Sequence, residues 1–425
     1  MDQGAGGLAL TLGFDLGRLV VVPGIFVLLA FAYLLSENRR AVNWRTVGWG
    51  LALQAVFAFL VLKTDLGSRA LTALAAAITR LIQYADEGGN FVFGWLTDVS
   101  DPAKFVFAFK VLPIVIFISS LSSCLYYLGI LQKVVLGMAR VMTRLMGVSG
   151  SESLSAAANV FMGQTEAPLV VAPYVPRMTQ SELLAMMTGG MATVSGAVLG
   201  GYIALGVNPE YLISASIMAA PASLVFAKLL IPETETSDTA GTVRLSIEPA
   251  EVNLIDAAAR GAARGVKLAI NIAAMLIAFV SIIYLVNGCL EWAGGIIGVE
   301  RFLGRPLTIQ IVMGYVLSPV AFLMGVPWTD VTAVGQLIGV KLTLNEFVAY
   351  LDLIEIRGEM DPRSELIATY ALCGFANLGS IGIQLGGIGG LAPERRSDLA
   401  RLGLKALLAG SMASFLTASV AGLLS

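Results

Sequence analysis

Unbroken apolar runs occupy most of this chain, and they constrain its fold more than any other feature. They lie at residues 19–35, 47–62, 105–128, 186–207, 211–230, 268–290, 309–326, 366–391 and 404–424. Several reach the roughly 20 residues that an α-helix needs to cross a bilayer. The runs do not alternate with a period of two residues, as the strands of a membrane barrel do. The sequence therefore predicts an all-α integral membrane protein.

The composition agrees with a membrane protein and excludes several kinds of site. Of the 425 residues, 57% are hydrophobic and 13% are charged, the mean hydropathy is +0.81 and the net charge is -2. This charge gives no electrostatic attraction for nucleic acid, and the lack of histidine excludes a histidine-ligated zinc site. Cys124, Cys289 and Cys373 each lie alone inside an apolar run, so we expect buried thiols rather than a disulfide framework.

The distribution of basic residues predicts eight membrane spans with both termini outside the cytoplasm. Cytoplasmic loops carry an excess of lysine and arginine. The basic clusters of this chain are Arg39, Arg40 and Arg45; Lys133, Arg140 and Arg144; Arg244, Arg260, Arg264 and Lys267; and Arg395, Arg396 and Arg401. Placing all of them in the cytoplasm leaves run 309–326 outside the count of spans, and we expect it to lie near the outer interface. Residues 1–18 lack the basic start and cleavage site of a signal peptide, so the first run is expected to be a retained anchor.

Two halves of the chain contain the same predicted elements in the same order. Residues 144–148 (RLMGV) recur in part as residues 322–326 (FLMGV). Each copy leads into a predicted hairpin of two helices that are too short to span, at residues 151–161 and 169–175 in one half and 329–338 and 347–356 in the other. A glycine-broken span follows each hairpin, at residues 193–201 and 375–382.

The two repeats are predicted to have inverted topology. With eight spans, the first hairpin follows cytoplasmic charges and enters from inside, while the second follows the outer end of the sixth span. Re-entrant hairpins and discontinuous helices at matching places in two inverted halves are typical of a secondary transporter with its site near the bilayer midplane.

The pattern divides the chain into five segments. These are residues 1–65 with the first two spans; 66–103 with interfacial helices; 104–230, the first repeat, with span 3, an interfacial helix, hairpin 1 and spans 4 and 5; 231–264, a cytoplasmic connection; and 265–425, the second repeat, with span 6, an interfacial helix, hairpin 2 and spans 7 and 8.

The polar hairpin tips carry the candidate binding groups. Thr165 and Asn345 are predicted N-caps that place Glu166 and Glu346 at the positive ends of half-helices, where the ionised carboxylate is favoured. An ionised carboxylate only accepts hydrogen bonds, and a buried one requires a partner. The tips therefore favour a neutral or cationic substrate that is rich in donors, with mixed donors and acceptors added by Gln164, Thr165, Asn377 and Ser380.

A hard cation would find oxygen ligands where the first hairpin meets the broken span that follows it. Asn159 and Thr193 offer side-chain oxygens, and the broken-helix backbone at Met162 and Val194 offers carbonyls. Such ligands suit sodium.

At these positions the chain resembles the concentrative nucleoside transporters, over most of its length from about residue 104. Residues 163–169 (GQTEAPL) look like the first hairpin tip of that family. Residues 339–341 (GVK) with 345–350 (NEFVAY) are similar to its signature G-x-K-x-x-x-N-E-F-V-A, and 374–377 (GFAN) with 379–381 (GSI) look like its seventh span.

The resemblance implies sodium-driven nucleoside import by a homotrimer of the elevator type. A scaffold that includes the third and sixth spans would hold a mobile domain built from the hairpins. The co-transported sodium ion would be the only cofactor, with no organic one, and the partners would be the nucleoside, the lipid bilayer and the other subunits. Because the chain lacks the extra N-terminal spans of animal members, it looks like the bacterial form, a multi-pass protein of the inner (plasma) membrane.

The resemblance also implies a role for each site residue. Gln164, Thr165 and Glu166 with Val198 would face the nucleobase, Glu346, Asn377 and Ser380 would hold the ribose, and Phe375 would line the pocket. Asn159 and Thr193 would bind sodium by side chain, and Met162 and Val194 by backbone carbonyl. Lys341 is expected to be a cation at the tip or the interface and is not assigned to the site.

Several alternatives remain open. The nucleoside could be co-transported with protons, or the substrate could be another polar solute, although a dicarboxylate would favour arginine at the tips. An intramembrane enzyme using Glu166 and Glu346 is disfavoured, because no serine-lysine dyad, zinc motif or nucleotide loop accompanies the two acids. The sequence leaves undetermined the preference for purine or pyrimidine, the ion stoichiometry, the oligomeric state and the conformational state.

Overall fold

The computed structural model describes residues 16–97, 106–242, 251–299, 301 and 304–425 of the chain. These residues form helices and contain no strand, as the apolar runs predict. The predicted boundary at residues 103/104 and Arg244 lie outside the described residues.

Three α-helices precede the repeats in the part of the chain that the structure describes. They are α1 (Leu16–Leu34), α2 (Trp44–Lys63) and α3 (Asp65–Phe93). The buried residues of α3 are Leu71, Ala75, Ile82, Ala85 and Gly89. Their spacing of three, four or seven residues places them on one face, so α3 is an amphipathic helix that packs against the bundle by that face.

The first repeat contains a turn, six helices and a 3₁₀ segment. In chain order these are the short turn Phe107–Lys110, α4 (Leu112–Tyr127), α5 (Ile130–Met146), α6 (Gly150–Asn159), a 3₁₀ helix (Ala167–Arg177), α7 (Gln180–Ala192), α8 (Gly196–Ala204) and α9 (Pro209–Leu230). The hairpin formed by α6 and the 3₁₀ helix is called hairpin 1 below.

The second repeat follows the same order. Its helices are α10 (Leu254–Ile297), α11 (Ile309–Leu323), α12 (Val331–Thr343), α13 (Glu346–Ile356), α14 (Pro362–Leu372), α15 (Leu378–Leu391) and α16 (Arg396–Leu424). The pair α12 and α13 is called hairpin 2. Within the described residues, six helical stretches are long and apolar enough to cross a membrane, formed by α2, α4, α7 with α8, α9, α10 and α16. With α1 and the broken pair α14 and α15 they make the eight spans predicted.

The third and sixth spans, α4 and α10, pack by close backbone approach. A Cβ added at Gly261 or Gly265 would lie 2.7 Å from the Cα of Ser120 or Ile116, respectively. The Ser119 hydroxyl donates to the Gly261 carbonyl across 2.9 Å. Small residues that allow this approach are the usual means of packing helices in lipid.

The hairpins differ from the sequence prediction in two places. The second limb of hairpin 1 is a 3₁₀ helix rather than an α-helix, because Pro168, Pro173 and Pro176 lack the N–H groups that an α-helical ladder requires. In hairpin 2, α12 continues to Thr343, so the predicted long loop is reduced to Leu344 and Asn345. The Thr343 hydroxyl donates to the Gly339 carbonyl one turn back and supports this last turn.

The sixth span also begins earlier than expected. We predicted a cytoplasmic connection over residues 231–264, but α10 already starts at Leu254. Asn253 caps it by accepting from the Asp256 N–H at 2.9 Å, and the basic residues Arg260 and Arg264 therefore lie on a helical extension of the span.

Candidate functional site

A chain of hydrogen bonds connects the two hairpin tips through the start of α15. Gln164 Nε2 of hairpin 1 donates to Ser380 Oγ at 3.1 Å. The Ser380 N–H donates to Asn377 Oδ1 at 2.8 Å, and Asn377 Nδ2 donates to Glu346 Oε2 of hairpin 2 at 3.0 Å. The structure thus brings four of the predicted substrate residues into one buried network.

Glu346 begins α13 and lies at its positive end. Asn345 is the N-cap predicted from sequence, and its Oδ1 accepts from the Val348 N–H at 3.0 Å. Glu346 is only 3% exposed. Both of its carboxylate oxygens accept hydrogen bonds, one from Asn377 and the other from the Tyr202 hydroxyl at 2.7 Å.

Glu166 occupies the tip of hairpin 1 in a different way. Its Oε2 accepts from the Gly163 N–H at 3.2 Å, and the residue is half-buried. The prediction that Thr165 caps the following helix is wrong, because the 3₁₀ helix starts at Ala167 and Glu166 itself is the cap residue. Thr165 packs against Gly387 of α15, where an added Cβ would lie 2.5 Å from the threonine methyl.

The two broken spans cross each other, and the first of them also contacts hairpin 1. The Phe375 N–H donates to the Thr193 carbonyl at 3.3 Å, and the Gly196 N–H donates to the Phe161 carbonyl at 3.1 Å. Gly374 has a φ of 141°, and an added Cβ would lie 2.8 Å from the Ala192 carbonyl oxygen, so only glycine fits this crossing.

Val198 and Phe375 lie on either side of this crossing. Val198 is buried in the first turn of α8, which Ser195 caps by accepting from the Val198 N–H. Phe375 is half-buried in the loop between α14 and α15. Val198 lies four residues before Tyr202 and Phe375 two residues before Asn377, and Tyr202 and Asn377 both donate to Glu346.

The predicted sodium ligands gather at the end of α6 and the break of α7. Asn159 Nδ2 donates to the Ser155 carbonyl at 2.9 Å, while the buried Oδ1 has no partner in the described part of the chain. The Thr193 hydroxyl donates to the Gly189 carbonyl at 2.9 Å, which leaves its oxygen free to accept. Met162 and Val194 lie in the non-helical stretches that follow α6 and α7.

Tyr202 belongs to the network, but it was not among the predicted site residues. It is fully buried in α8 and donates to Glu346. Its position four residues after Val198 places it on the same helix face, one turn further on. That spacing is the signal by which it could have been found.

Lys341 is the clearest correction to the predicted roles. It was expected to be a cation at the tip or the interface, yet it is completely buried. Its Nζ donates to the Ala371 carbonyl at 2.8 Å and to Ser414 Oγ at 3.3 Å. Because α12 continues through Lys341, the side chain reaches the C-terminal end of α14, where unpaired carbonyls and the helix dipole favour a cation.

Family models match nearly the whole chain. Residues 23–96 match a model described as "Na+ dependent nucleoside transporter N-terminus", and residues 211–422 match one described as "Na+ dependent nucleoside transporter C-terminus". The intervening residues 108–208 match a gate model described as "Nucleoside recognition".

Individual proteins match over the same length. An uncharacterized transporter of Haemophilus influenzae is 48% identical over 95% of this chain and 96% of its own. Sodium/nucleoside cotransporter 1 of Rattus norvegicus is 44% identical over 98% of this chain and 66% of its own, because the rat protein is longer.

Solved structures of CNTnw share the fold. The inward-facing, substrate-bound structure of CNTnw has a TM-score of 0.88 at 43% identity, covering 96% of this chain and 98% of that one. A CNTnw variant in an outward-facing state has a TM-score of 0.90 at 43% identity, covering 96% and 98%.

Proposed function

The chain belongs to the Na+-dependent nucleoside transporter family, and from that premise we propose that it imports a nucleoside bound between its two hairpin tips. It is a transporter rather than an enzyme, and sodium is the co-transported ion of the family. The observation that carries the proposal is the network from Gln164 to Glu346, which joins both tips in one buried site.

The ribose is assigned to hairpin 2. Glu346 is a buried acceptor at the start of a helix, with Asn377 and Tyr202 already donating to it. Vicinal hydroxyls are paired donors that such a carboxylate accepts, and Asn377 and Ser380 add groups that donate and accept. An uncharged sugar is favoured over an anion, because the carboxylate would repel one.

The nucleobase is assigned to hairpin 1. Gln164 and Glu166 supply polar atoms, Thr165 forms part of the tip, and Val198 with Phe375 supplies apolar surface on the side of the broken spans. An aromatic ring and a few polar groups are the usual composition of a site for a flat heterocycle.

Sodium is assigned to the end of α6. The buried Asn159 Oδ1 without a partner is the kind of atom that a cation would satisfy, since leaving it unpaired costs about 1–3 kcal/mol. Thr193 Oγ and the carbonyls of Met162 and Val194 would complete an all-oxygen set, the kind that hard cations prefer. One sodium ion moving inward with a neutral nucleoside gains about 2.3 kcal/mol per 100 mV of membrane potential.

We further propose an elevator mechanism in a homotrimer of the bacterial plasma membrane. CNTnw has been solved in inward-facing and outward-facing states, which supports a mobile site. In α10 only 11% of an 18-residue apolar stretch is buried within the protomer, against 94% in α9. The exposed apolar surface of α10 is therefore available for contact with lipid and with neighbouring subunits.

Uptake into proteoliposomes tests the proposed function. Labelled uridine and adenosine are supplied outside while an inward sodium gradient or an inward proton gradient is imposed. We expect accumulation of at least one nucleoside under the sodium gradient. Accumulation under the proton gradient alone would replace the sodium assignment with proton coupling, and no accumulation under either gradient would refute the proposal.

Tyr202→Phe should weaken substrate binding through Glu346. The loss of one hydrogen bond to a charged group costs about 1.5–3 kcal/mol, so we expect the KM for uridine to rise about tenfold or more. Tyr350→Phe is the matched control, because Tyr350 is equally buried beside Tyr202 but donates to the Thr369 carbonyl. Equal effects of the two variants on KM would contradict a role for Tyr202 in the site.

A further inference from the structure

Gln384 of α15 is a fully buried amide that no assigned role explains. It is 0% exposed, and its Nε2 donates to the Met187 backbone carbonyl at 2.9 Å and to Gln164 Oε1 at 3.2 Å. It lies one turn beyond Ser380, on the face of α15 that carries the hydrogen-bond network.

The backbone carbonyl fixes which way the Gln384 amide points. A glutamine amide has a donating and an accepting end, whose assignment rests on the hydrogen-bond partners. Met187 O can only accept, so the NH₂ end of Gln384 faces it. The second hydrogen of the same NH₂ group then points at Gln164.

This orientation is passed on to Gln164. Because Gln384 offers a donor, Gln164 must turn its oxygen toward Gln384 and its NH₂ group toward Ser380 Oγ, as observed. Each end of the Gln164 amide then retains unused capacity, one N–H and one lone pair, for a ligand.

The packing around the pair allows little adjustment. Gly190 of α7 lies against both side chains, and an added Cβ would lie 2.8 Å from Gln164 Cβ and 2.9 Å from Gln384 Nε2. The orientation persists even though Gln384 Oε1 is buried and without a partner in the described chain. Reversing the amide would set its oxygen against the Met187 carbonyl.

We propose that Gln384 is a positioning residue that fixes the Gln164 amide and thereby sets which nucleobases the site accepts. The inference rests on the proposed function, in which Gln164 faces the base. Uracil presents an N–H at position 3 and an acceptor at position 4, whereas cytosine presents an acceptor and a donor. A fixed amide matches one of these orders, and a reversed amide matches the other.

Two substitutions at Gln384 separate this role from simple packing. In Gln384→Glu the buried acid keeps its proton and donates it to the Met187 carbonyl, so the same oxygen has only a lone pair left for Gln164. The Gln164 amide then reverses, and the KM ratio of uridine to cytidine changes by about fivefold or more. Gln384→Met removes the NH₂ group that donates to Gln164 Oε1, so the Gln164 amide is no longer fixed and the discrimination between uridine and cytidine falls. Gly190→Ala places a methyl group of α7 against the contact between Gln164 and Gln384. It is therefore expected to change the KM ratio of uridine to cytidine while residue 384 remains glutamine.

Gln54→Met is the matched control. Gln54 is also 0% exposed, with Nε2 donating to Thr417 Oγ1 at 2.8 Å and an unpaired Oε1, but it lies in α2. We expect its KM ratio to equal that of the wild type even where transport slows.

Initial rates of sodium-driven uridine and cytidine uptake into proteoliposomes decide the question for all four variants. A changed ratio in the Gln384 and Gly190 variants, with an unchanged ratio in Gln54→Met, supports the proposal. Wild-type uptake with the same ratio in every variant overturns it and leaves the proposed function intact. Adenosine is assayed alongside: a wild type that transports adenosine but neither pyrimidine nucleoside overturns this inference and leaves the proposed function intact, and a wild type that transports none of the three refutes both. For any variant that folds but reconstitutes poorly, nucleoside-dependent thermal stabilisation gives the corresponding ratio of uridine to cytidine affinity.

Discussion

Glu346→Gln is expected to lower kcat/KM for uridine by roughly two orders of magnitude. Both carboxylate oxygens already accept a hydrogen bond, from Tyr202 and from Asn377. An amide has one accepting oxygen, so one of these donors would face an NH₂ group instead. Losing the charge also weakens each bond to the ribose, and hydrogen bonds to charged groups contribute about 1.5–3 kcal/mol each.

Concentration-dependent uridine uptake by reconstituted protein measures this effect. Glu210→Gln is the matched control, because Glu210 also lies in the first turn of a helix and accepts from Thr72 at 2.8 Å, away from the hairpin tips. Its uptake should remain close to that of the wild type. Unchanged uptake by Glu346→Gln would remove the ribose from hairpin 2.

Asn159→Ala is expected to raise the sodium concentration for half-maximal uptake by about tenfold or more. The substitution removes the buried Oδ1 that lacks a protein partner, and with it one ligand of the proposed sodium set. Thr193→Val, which keeps the shape and removes the oxygen, should shift the sodium dependence in the same direction. At saturating sodium, the KM for uridine should change by a smaller factor than the sodium concentration for half-maximal uptake.

Asn287→Ala supplies the control for the sodium experiment. Asn287 joins α10 to α11 by accepting from the Ile309 N–H at 2.9 Å and donating to Gln310, so its loss affects the scaffold and not the end of α6. Sodium activation curves that coincide for Asn159→Ala and the wild type would place the sodium ion elsewhere.

The spans and hairpins were predictable because their signals are local. Apolar length identifies spans, and an asparagine followed by a short apolar helix identifies the start of α13. The same reasoning was wrong at Thr165, because three prolines in the following segment convert it to a 3₁₀ helix that starts one residue later. Local helix signals weaken wherever proline removes the hydrogen bonds on which they depend.

The long-range contacts of the site were less predictable. Lys341 lies two residues after Gly339 and precedes a polar tip, which is typical of an exposed cation, and only tertiary packing against α14 and α16 buries it. Gln384 looks like an isolated polar residue in a glycine-rich helix. Its proposed role depends on hydrogen bonds to Met187 and Gln164, which lie about two hundred positions away in the chain.

Uridine binding to the purified protein, titrated in sodium chloride and in choline chloride, tests the central claim most directly. The claim is that one uncharged nucleoside and a sodium ion occupy adjoining sites between the two tips. Linkage then requires sodium to increase uridine affinity and uridine to increase sodium affinity by the same factor. We predict a Kd for uridine that is about tenfold or more lower in sodium, with the difference lost in Asn159→Ala. Equal affinity in the two salts, or no binding of uridine and none of adenosine under the same conditions, would contradict the account.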